Sequence, residues 1–141
     1  MKGVMIIGLL FMSMACSPVP QDIHYGKDTC SSCLMTIVDQ QHAAELVTTK
    51  GKAFKFDAIE CMVRYLKEHE GTEYAFTLVN DYNKPGSFIN AETATFLISP
   101  SVPSPMGAFL SAFASEDQAM KLQQEKAGKL YDWSTLRLTL K

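Results

Sequence analysis

Two cysteines and a methionine lie close together early in this 141-residue chain, in the segment Cys30-Ser31-Ser32-Cys33-Leu34-Met35. A thiolate combined with a thioether is the soft donor set that favours Cu(I) over harder cations. In an extended segment, residues two apart point to the same side, so we expect Cys33 and Met35 to present both donors on one face. The residues alone leave open a copper site, a zinc site, a disulfide between Cys30 and Cys33, and plain apolar packing.

A zinc site would need more ligands than this segment offers, and a third cysteine with a histidine could supply them as a Cys₃His set. Against it, the chain has no second CxxC pair, and its third mature cysteine falls inside a predicted helix, where a packed cysteine is expected. The histidines are scattered, and each is expected at the surface. The residues in question are Cys30, Cys33 and Cys61 with one of His24, His42 or His69.

A redox-active CxxC is disfavoured by the order of the predicted elements. Thioredoxin-like pairs stand at the start of a helix, whose dipole lowers the pKa of a thiol. Here a strand is predicted to follow Cys33, so a structural disulfide is favoured over a catalytic one.

Composition excludes several classes of function. The chain is 47% hydrophobic and 20% charged, which is typical of a globular domain, and its formal net charge is −2. No basic run or basic stripe interleaved with aromatic residues is present, so no nucleic-acid partner is expected. No Ser-His-Asp, paired-carboxylate or phosphate-loop pattern indicates an enzyme.

Residues 1–15 are predicted to be a signal peptide. Lys2 supplies a positive charge, and residues 4–11 form an apolar run that is far shorter than the roughly 20 residues needed to span a bilayer. The run ends in Ser13-Met14-Ala15-Cys16, which is similar to the lipobox of bacterial lipoproteins, except that Ser13 stands where a leucine is usual.

Cys16 is therefore the predicted lipidation site, and residues 16–27, which contain Pro18 and Pro20, are the predicted tether. The mature protein is expected in the periplasm or cell envelope, anchored to a membrane through Cys16. Acylation of Cys16 would leave three thiols, and an odd number indicates a reactive or metal-bound cysteine rather than a complete disulfide framework.

Residues 28–141 are predicted to form one small α+β body of two tandem ββαβ-like units, at about 28–82 and 90–138. Asp57 is expected to cap the first helix with Glu60 as its capping-box partner, and Ser115 with Gln118 is expected to do the same for the second. The predicted strands cover residues 36–38, 44–48, 53–56, 74–79, 95–98, 108–113 and 129–133, and residues 81–87 are assigned to a turn-rich link.

A third soft donor stands in the second unit. Pro105-Met106-Gly107 precedes a strand there, as the cysteine segment precedes a strand in the first unit. An approximate two-fold relation between the units would bring Met106 toward Cys33 and Met35.

Several motifs together resemble those of the NosL family, copper-binding lipoproteins encoded with nitrous oxide reductase. The similarity covers nearly the whole mature chain, in order. It departs from the family at Leu34, where glycine is usual, at Ser104, where threonine is usual, and in the loose lipobox. The motifs are Cys30 to Met35, Phe56-Asp57 followed by a helix with Cys61, Asn80-Asp81-Tyr82, Asn90-Ala91-Glu92-Thr93-Ala94, Ser104-Pro105-Met106-Gly107 and Ala112-Phe113.

The resemblance implies a fold similar to part of the organomercurial lyases. It also implies Cu(I) binding and delivery to the machinery that assembles the copper–sulfur site of nitrous oxide reductase, which includes a periplasmic protein docked on an ABC transporter. Carried over by position, the implied copper ligands are Cys33, Met35 and Met106, with Cys30 as a secondary candidate, while Asp57 is assigned to capping.

The expectation is thus a membrane-tethered Cu(I) chaperone rather than an enzyme. Two alternatives stay open: a zinc-stabilised structural lipoprotein, and a thiol-dependent enzyme of the organomercurial-lyase type.

Overall fold

The computed structural model of the chain describes residues 17–140, so the predicted signal peptide and Cys16 lie outside the described residues. None of the helices in residues 17–140 is both long and apolar enough to cross a bilayer. The elements in chain order are β1 (Ala44–Thr48), β2 (Ala53–Phe56), α1 (Ile59–Glu68), β3 (Tyr74–Asp81), β4 (Lys84–Asn90), β5 (Thr95–Ile98), β6 (Leu110–Phe113), α2 (Glu116–Lys126), β7 (Lys129–Tyr131) and α3 (Trp133–Thr139).

The first sheet has the strand order β2-β1-β3-β4, and all neighbouring strands are antiparallel. β1 is central because α1 carries the chain from β2 to the far side of β1, where β3 pairs. Leu46 and Phe54 are register partners and share a face with Phe56. This face packs on α1, where the rings of Phe54 and Phe56 lie 5.0 and 5.3 Å from that of Tyr65.

The second sheet repeats this order as β6-β5-β7, again antiparallel, with α2 between β6 and β7. The repeat confirms the predicted α+β fold of two ββαβ units, the first extended by β4 and the second by α3. Both faces of β5 are covered, because Phe96 joins the core around α1 while Leu97 packs with Phe113 and Ala119 of α2.

One hydrophobic core joins the two units. Ile59 of α1 is buried in the same cluster as Phe96 and Leu110 of the second sheet and Leu136 of α3. Burial of apolar surface is the main favourable term in folding, so each unit contributes to stability by burying apolar side chains of the other.

The segment before the cysteines lies against the first sheet. The Gln21 N–H donates to Glu45 at 2.9 Å, Ile23 is buried, and Asn80 donates to the Tyr25 hydroxyl at 2.6 Å. The folded part of the chain therefore begins no later than Gln21, within the stretch assigned to the tether.

Two strand assignments differ from the prediction. Residues 81–87 are a hairpin and the start of β4 rather than a link, and the turn between β3 and β4 contains only Tyr82 and Asn83. Pro85 is compatible with β4 because β4 is the edge strand of its sheet, where a missing N–H is tolerated. Residues 36–38 form no strand, and Thr36 makes only an isolated bridge to Thr29.

A helix, α3, begins inside the stretch 129–133 that was predicted as a strand. Asp132 caps it by accepting a hydrogen bond from the Thr135 N–H at 2.7 Å. Trp133 and Leu136, three residues apart, are its buried side chains. The aspartate cap and this spacing are sequence signals from which a helix could have been predicted here.

Candidate metal centre

The cysteine segment forms a tight loop beside the end of β2. The Cys30 N–H donates to the Met35 carbonyl at 2.8 Å and closes the loop. The backbone of Lys55 in β2 makes two hydrogen bonds to Ser31. The Lys55 carbonyl accepts from the Ser31 N–H at 2.7 Å, and the Lys55 N–H donates to the Ser31 hydroxyl at 3.3 Å. These bonds fix the loop next to the first turn of α1.

Leu34, between Cys33 and Met35, has a left-handed backbone with a φ of 65°. The segment is therefore not extended, and the expectation that Cys33 and Met35 share a face for that reason is wrong. The Leu34 side chain is 75% exposed, so no burial compensates for the backbone strain. Glycine adopts this conformation readily, and glycine is the residue that the resemblance places there.

Three thiols and one carboxylate converge around this loop. The ligand atoms of Cys30, Cys33, Asp57 and Cys61 all lie within 4.8 Å of one another, and all three cysteines are free. Cys30 and Cys61 are fully buried, whereas Cys33 is half-buried. The cysteine pair predicted from spacing is thus joined by Cys61, which was expected to be a packed cysteine and was a ligand only in the zinc alternative.

Asp57 has a different role from the predicted helix cap. The N-cap residue of α1 is Ala58, and no side chain caps this end. The Asp57 Oδ1 instead accepts hydrogen bonds from the thiols of Cys33 at 3.3 Å and Cys61 at 3.4 Å. The carboxylate holds the two sulfurs near each other and offers an oxygen donor to a cation.

The thiols differ in acidity because they share hydrogen bonds unequally. A hydrogen bond from Cys61 lowers the pKa of Cys30 to about 6, although burial opposes this. The same bond, with burial, raises the pKa of Cys61. Burial raises the pKa of Cys33. Cys30 is therefore the most acidic thiol of the cluster.

The two methionines lie at the surface, with Met35 56% and Met106 36% exposed. Met106 sits in a turn that the Gly107 N–H closes on the Ser104 carbonyl at 3.0 Å. Glu60 of α1 anchors this turn, and its Oε1 accepts from the Ser104 hydroxyl at 2.9 Å and the Ala108 N–H at 3.2 Å. Glu60 therefore ties the second unit to the first turn of α1 instead of completing a capping box.

No histidine belongs to the cluster of metal-type groups found in residues 17–140, so the cluster is a Cys₃Asp set and not the Cys₃His set of the zinc alternative. His24 is exposed and lies 3.5 Å from Asp28. His69 stacks on the ring of Tyr65 at 3.9 Å.

His42 is buried, contrary to the expectation of a surface histidine. Its Nδ1 lies 2.9 Å from Asp39 and its Nε2 lies 3.2 Å from the Ser111 hydroxyl, a Ser-His-Asp arrangement that no sequence pattern indicated. Ser111 is fully buried, so a substrate cannot reach its hydroxyl. The array joins β6 to the first unit and is structural.

Comparison with known proteins places the chain. A family model for NosL matches residues 21–139. A search of curated proteins finds no match. Among solved structures, the chain is similar to the crystal structure of the copper chaperone NosL from Shewanella denitrificans, with a TM-score of 0.71 and 26% identity, covering 82% of this chain and 93% of that one. Since the family model spans most of its length, the chain belongs to the NosL family.

Proposed function

We propose that this protein is a membrane-tethered Cu(I) chaperone that delivers copper for assembly of the copper–sulfur site of nitrous oxide reductase. The observation that carries the proposal is the convergence of three free thiols in one site whose loop reaches the surface at Met35. Sulfur donors of this kind favour Cu(I) over hard cations. The similar solved structure is that of a copper chaperone.

The proposed ligands that receive copper and hand it over are Cys33, Met35 and Met106, with Cys30 as a secondary ligand. A chaperone must hold copper tightly and still release it. Cys33 is half-buried and both methionines are exposed, so the sulfur ligands of a partner can enter before those of the chaperone leave. Stepwise exchange among soft ligands suits such a transfer.

The proposed setting is the periplasmic side of the cell envelope. Acylation of Cys16 would hold the domain at a membrane, within reach of an assembly machinery made of a periplasmic protein on an ABC transporter. A strain that carries Cys16→Ala should then produce nitrous oxide reductase with less copper than the unaltered strain. Equal copper content in the two strains would argue against the tethered setting.

An anaerobic titration with Cu(I) tests the copper site directly. We expect one Cu(I) per monomer for the unaltered protein and weaker binding for the Cys33→Ala, Met35→Ala double variant. Met120→Ala on α2 is a matched control, because Met120 lies on the other helix and outside the cysteine loop. No binding by the unaltered protein, or equal binding by the double variant, would overturn the proposed site.

Zinc is the second candidate, because Asp57 adds an oxygen donor to three thiols and completes four ligands. Zinc in structural sites takes four such ligands and supplies folding free energy. Stoichiometric Zn(II) in the purified protein, with unfolding on chelation, would favour that reading. Turnover of an organomercurial with cleavage of its carbon–mercury bond would favour the lyase alternative instead.

A further inference from the structure

Soft donors lie at two depths around the first turn of α1. Two cysteine sulfurs are fully buried, the two methionines are exposed, and the Cys33 thiol is intermediate in exposure. The buried donors are Cys30 and Cys61, each 0% exposed, with Asp57 at 3%; the exposed donors are Met35 and Met106.

The buried donors are close enough to share one ion. A thiolate binds a metal at about 2.3 Å, so two sulfurs on one ion lie at most about 4.6 Å apart. The ligand atoms of Cys30, Cys33 and Cys61 already lie within 4.8 Å of one another. The Cys33 and Cys61 thiols both donate hydrogen bonds to Asp57 Oδ1, which keeps their sulfurs close together. Small side-chain movements would therefore allow all three sulfurs to bind one ion.

Arg64, an exposed residue of α1, adds a positive charge beside the site. Its guanidinium donates to the Cys61 sulfur at 3.6 Å and, through Nε, to the Ser32 hydroxyl at 3.3 Å. A cation beside the sulfur offsets the negative charge that three thiolates would place on Cu(I).

We propose that Cu(I) rests on an inner set of Cys30, Cys33 and Cys61, and that Met35 and Met106 form an outer set through which the ion enters and leaves. Cys33 belongs to both sets and passes the ion between them. Each thiol that binds as a thiolate gives one proton to water, and no electrons move because copper stays Cu(I) throughout. This inference rests on the proposed chaperone function and refines its site.

Selenomethionine labelling tests the inference on the unaltered chain. X-ray absorption at the copper edge separates selenium from sulfur neighbours of the bound ion. We expect the loaded protein to show sulfur neighbours and no selenium. Selenium bound to copper in the resting protein would overturn the inner set.

Two double variants then separate the two sets, with affinity and release rate measured by competition with a chromophoric Cu(I) chelator. Cys30→Ser with Cys61→Ser is expected to weaken binding by more than about 100-fold, as expected for loss of ligands that themselves hold the ion. Met35→Ala with Met106→Ala is expected to change affinity less than the cysteine pair does and to slow release to the chelator.

The outcomes distinguish this inference from the proposed function. If the unaltered protein binds no Cu(I), the chaperone function fails. If it binds Cu(I) with selenium neighbours, and the cysteine pair can be replaced at no cost in affinity, only the inner set fails. Because Cys30 and Cys61 are buried and their variants could misfold, circular dichroism checks each variant, and the selenium measurement decides the matter without any substitution.

Discussion

Leu34, in the loop from Cys30 to Met35, has a backbone conformation that is unfavourable for a residue with a side chain. Its φ of 65° costs an ordinary side chain about 1–2 kcal/mol, and its exposed side chain recovers nothing by burial. The loop tolerates this because bonds on both flanks hold it, from Cys30 to Met35 and from Ser31 to Lys55.

Replacing Leu34 with glycine should therefore stabilise the domain. We expect Leu34→Gly to raise the free energy of unfolding by up to about 1 kcal/mol, because relief of the left-handed strain exceeds the extra entropy of a glycine in the unfolded chain. Thermal unfolding measures the change as a rise of a few °C. Leu138→Gly is the matched control, since Leu138 is 87% exposed in α3 and glycine weakens a helix there. A fall in both variants would contradict the assignment of strain to Leu34.

The candidate site could be predicted only in part from residue types. Spacing singled out Cys30, Cys33 and Met35 because they are neighbours in sequence. Cys61 was expected to be packed, with a metal role only in the zinc alternative, and Asp57 was assigned to capping. Their approach to Cys30 depends on how α1 docks at the end of β2. A long-range contact of this kind leaves no local pattern.

At the scale of elements, the strongly patterned segments were predicted and the irregular ones were missed. β1, β2 and α1 follow their apolar periodicity closely. β4 was missed because Pro85 and Gly86 resemble a turn, and an edge position is what allows them in a strand. α3 was missed because its first residue, Trp133, also extends the apolar alternation of β7.

Glu60 is the contact between elements on which the position of the Met106 turn depends. We expect Glu60→Ala to lower the free energy of unfolding by about 1–3 kcal/mol, because two donors, the Ser104 hydroxyl and the Ala108 N–H, lose a charged acceptor. Hydrogen exchange of the Ala108 amide reports the loss directly and should become faster.

Glu60→Gln is the control for that substitution, since its amide oxygen can still accept both hydrogen bonds. Its Ala108 amide should stay nearly as protected as in the unaltered protein. If Glu60→Ala leaves the protection of Ala108 unchanged, then Glu60 does not anchor the turn.

At the scale of the whole molecule, a buried acid couples the N-terminal segment to the first sheet. Glu45 of β1 is fully buried; one carboxyl oxygen accepts from the Gln21 N–H, and the other has no partner. Burial raises the pKa of Glu45 to about 7, against the pull of the Gln21 hydrogen bond and of Lys55, while Asp22 adds to the rise. The neutral form of Glu45 is therefore the one that suits the folded domain.

The stability of the domain should consequently fall as the pH rises. The folded protein keeps the Glu45 proton up to about pH 7 and the unfolded chain only up to about 4.5, so this stabilisation is complete below 4.5 and lost as the pH rises through 7. The loss is on the order of 3 kcal/mol. Glu45→Gln, which keeps a neutral group and an acceptor for Gln21, should flatten the dependence and be the more stable protein at about pH 8. Thermal unfolding of both proteins in steps between about pH 5 and 8 measures this, and parallel slopes would show that Glu45 does not hold its proton in the folded state.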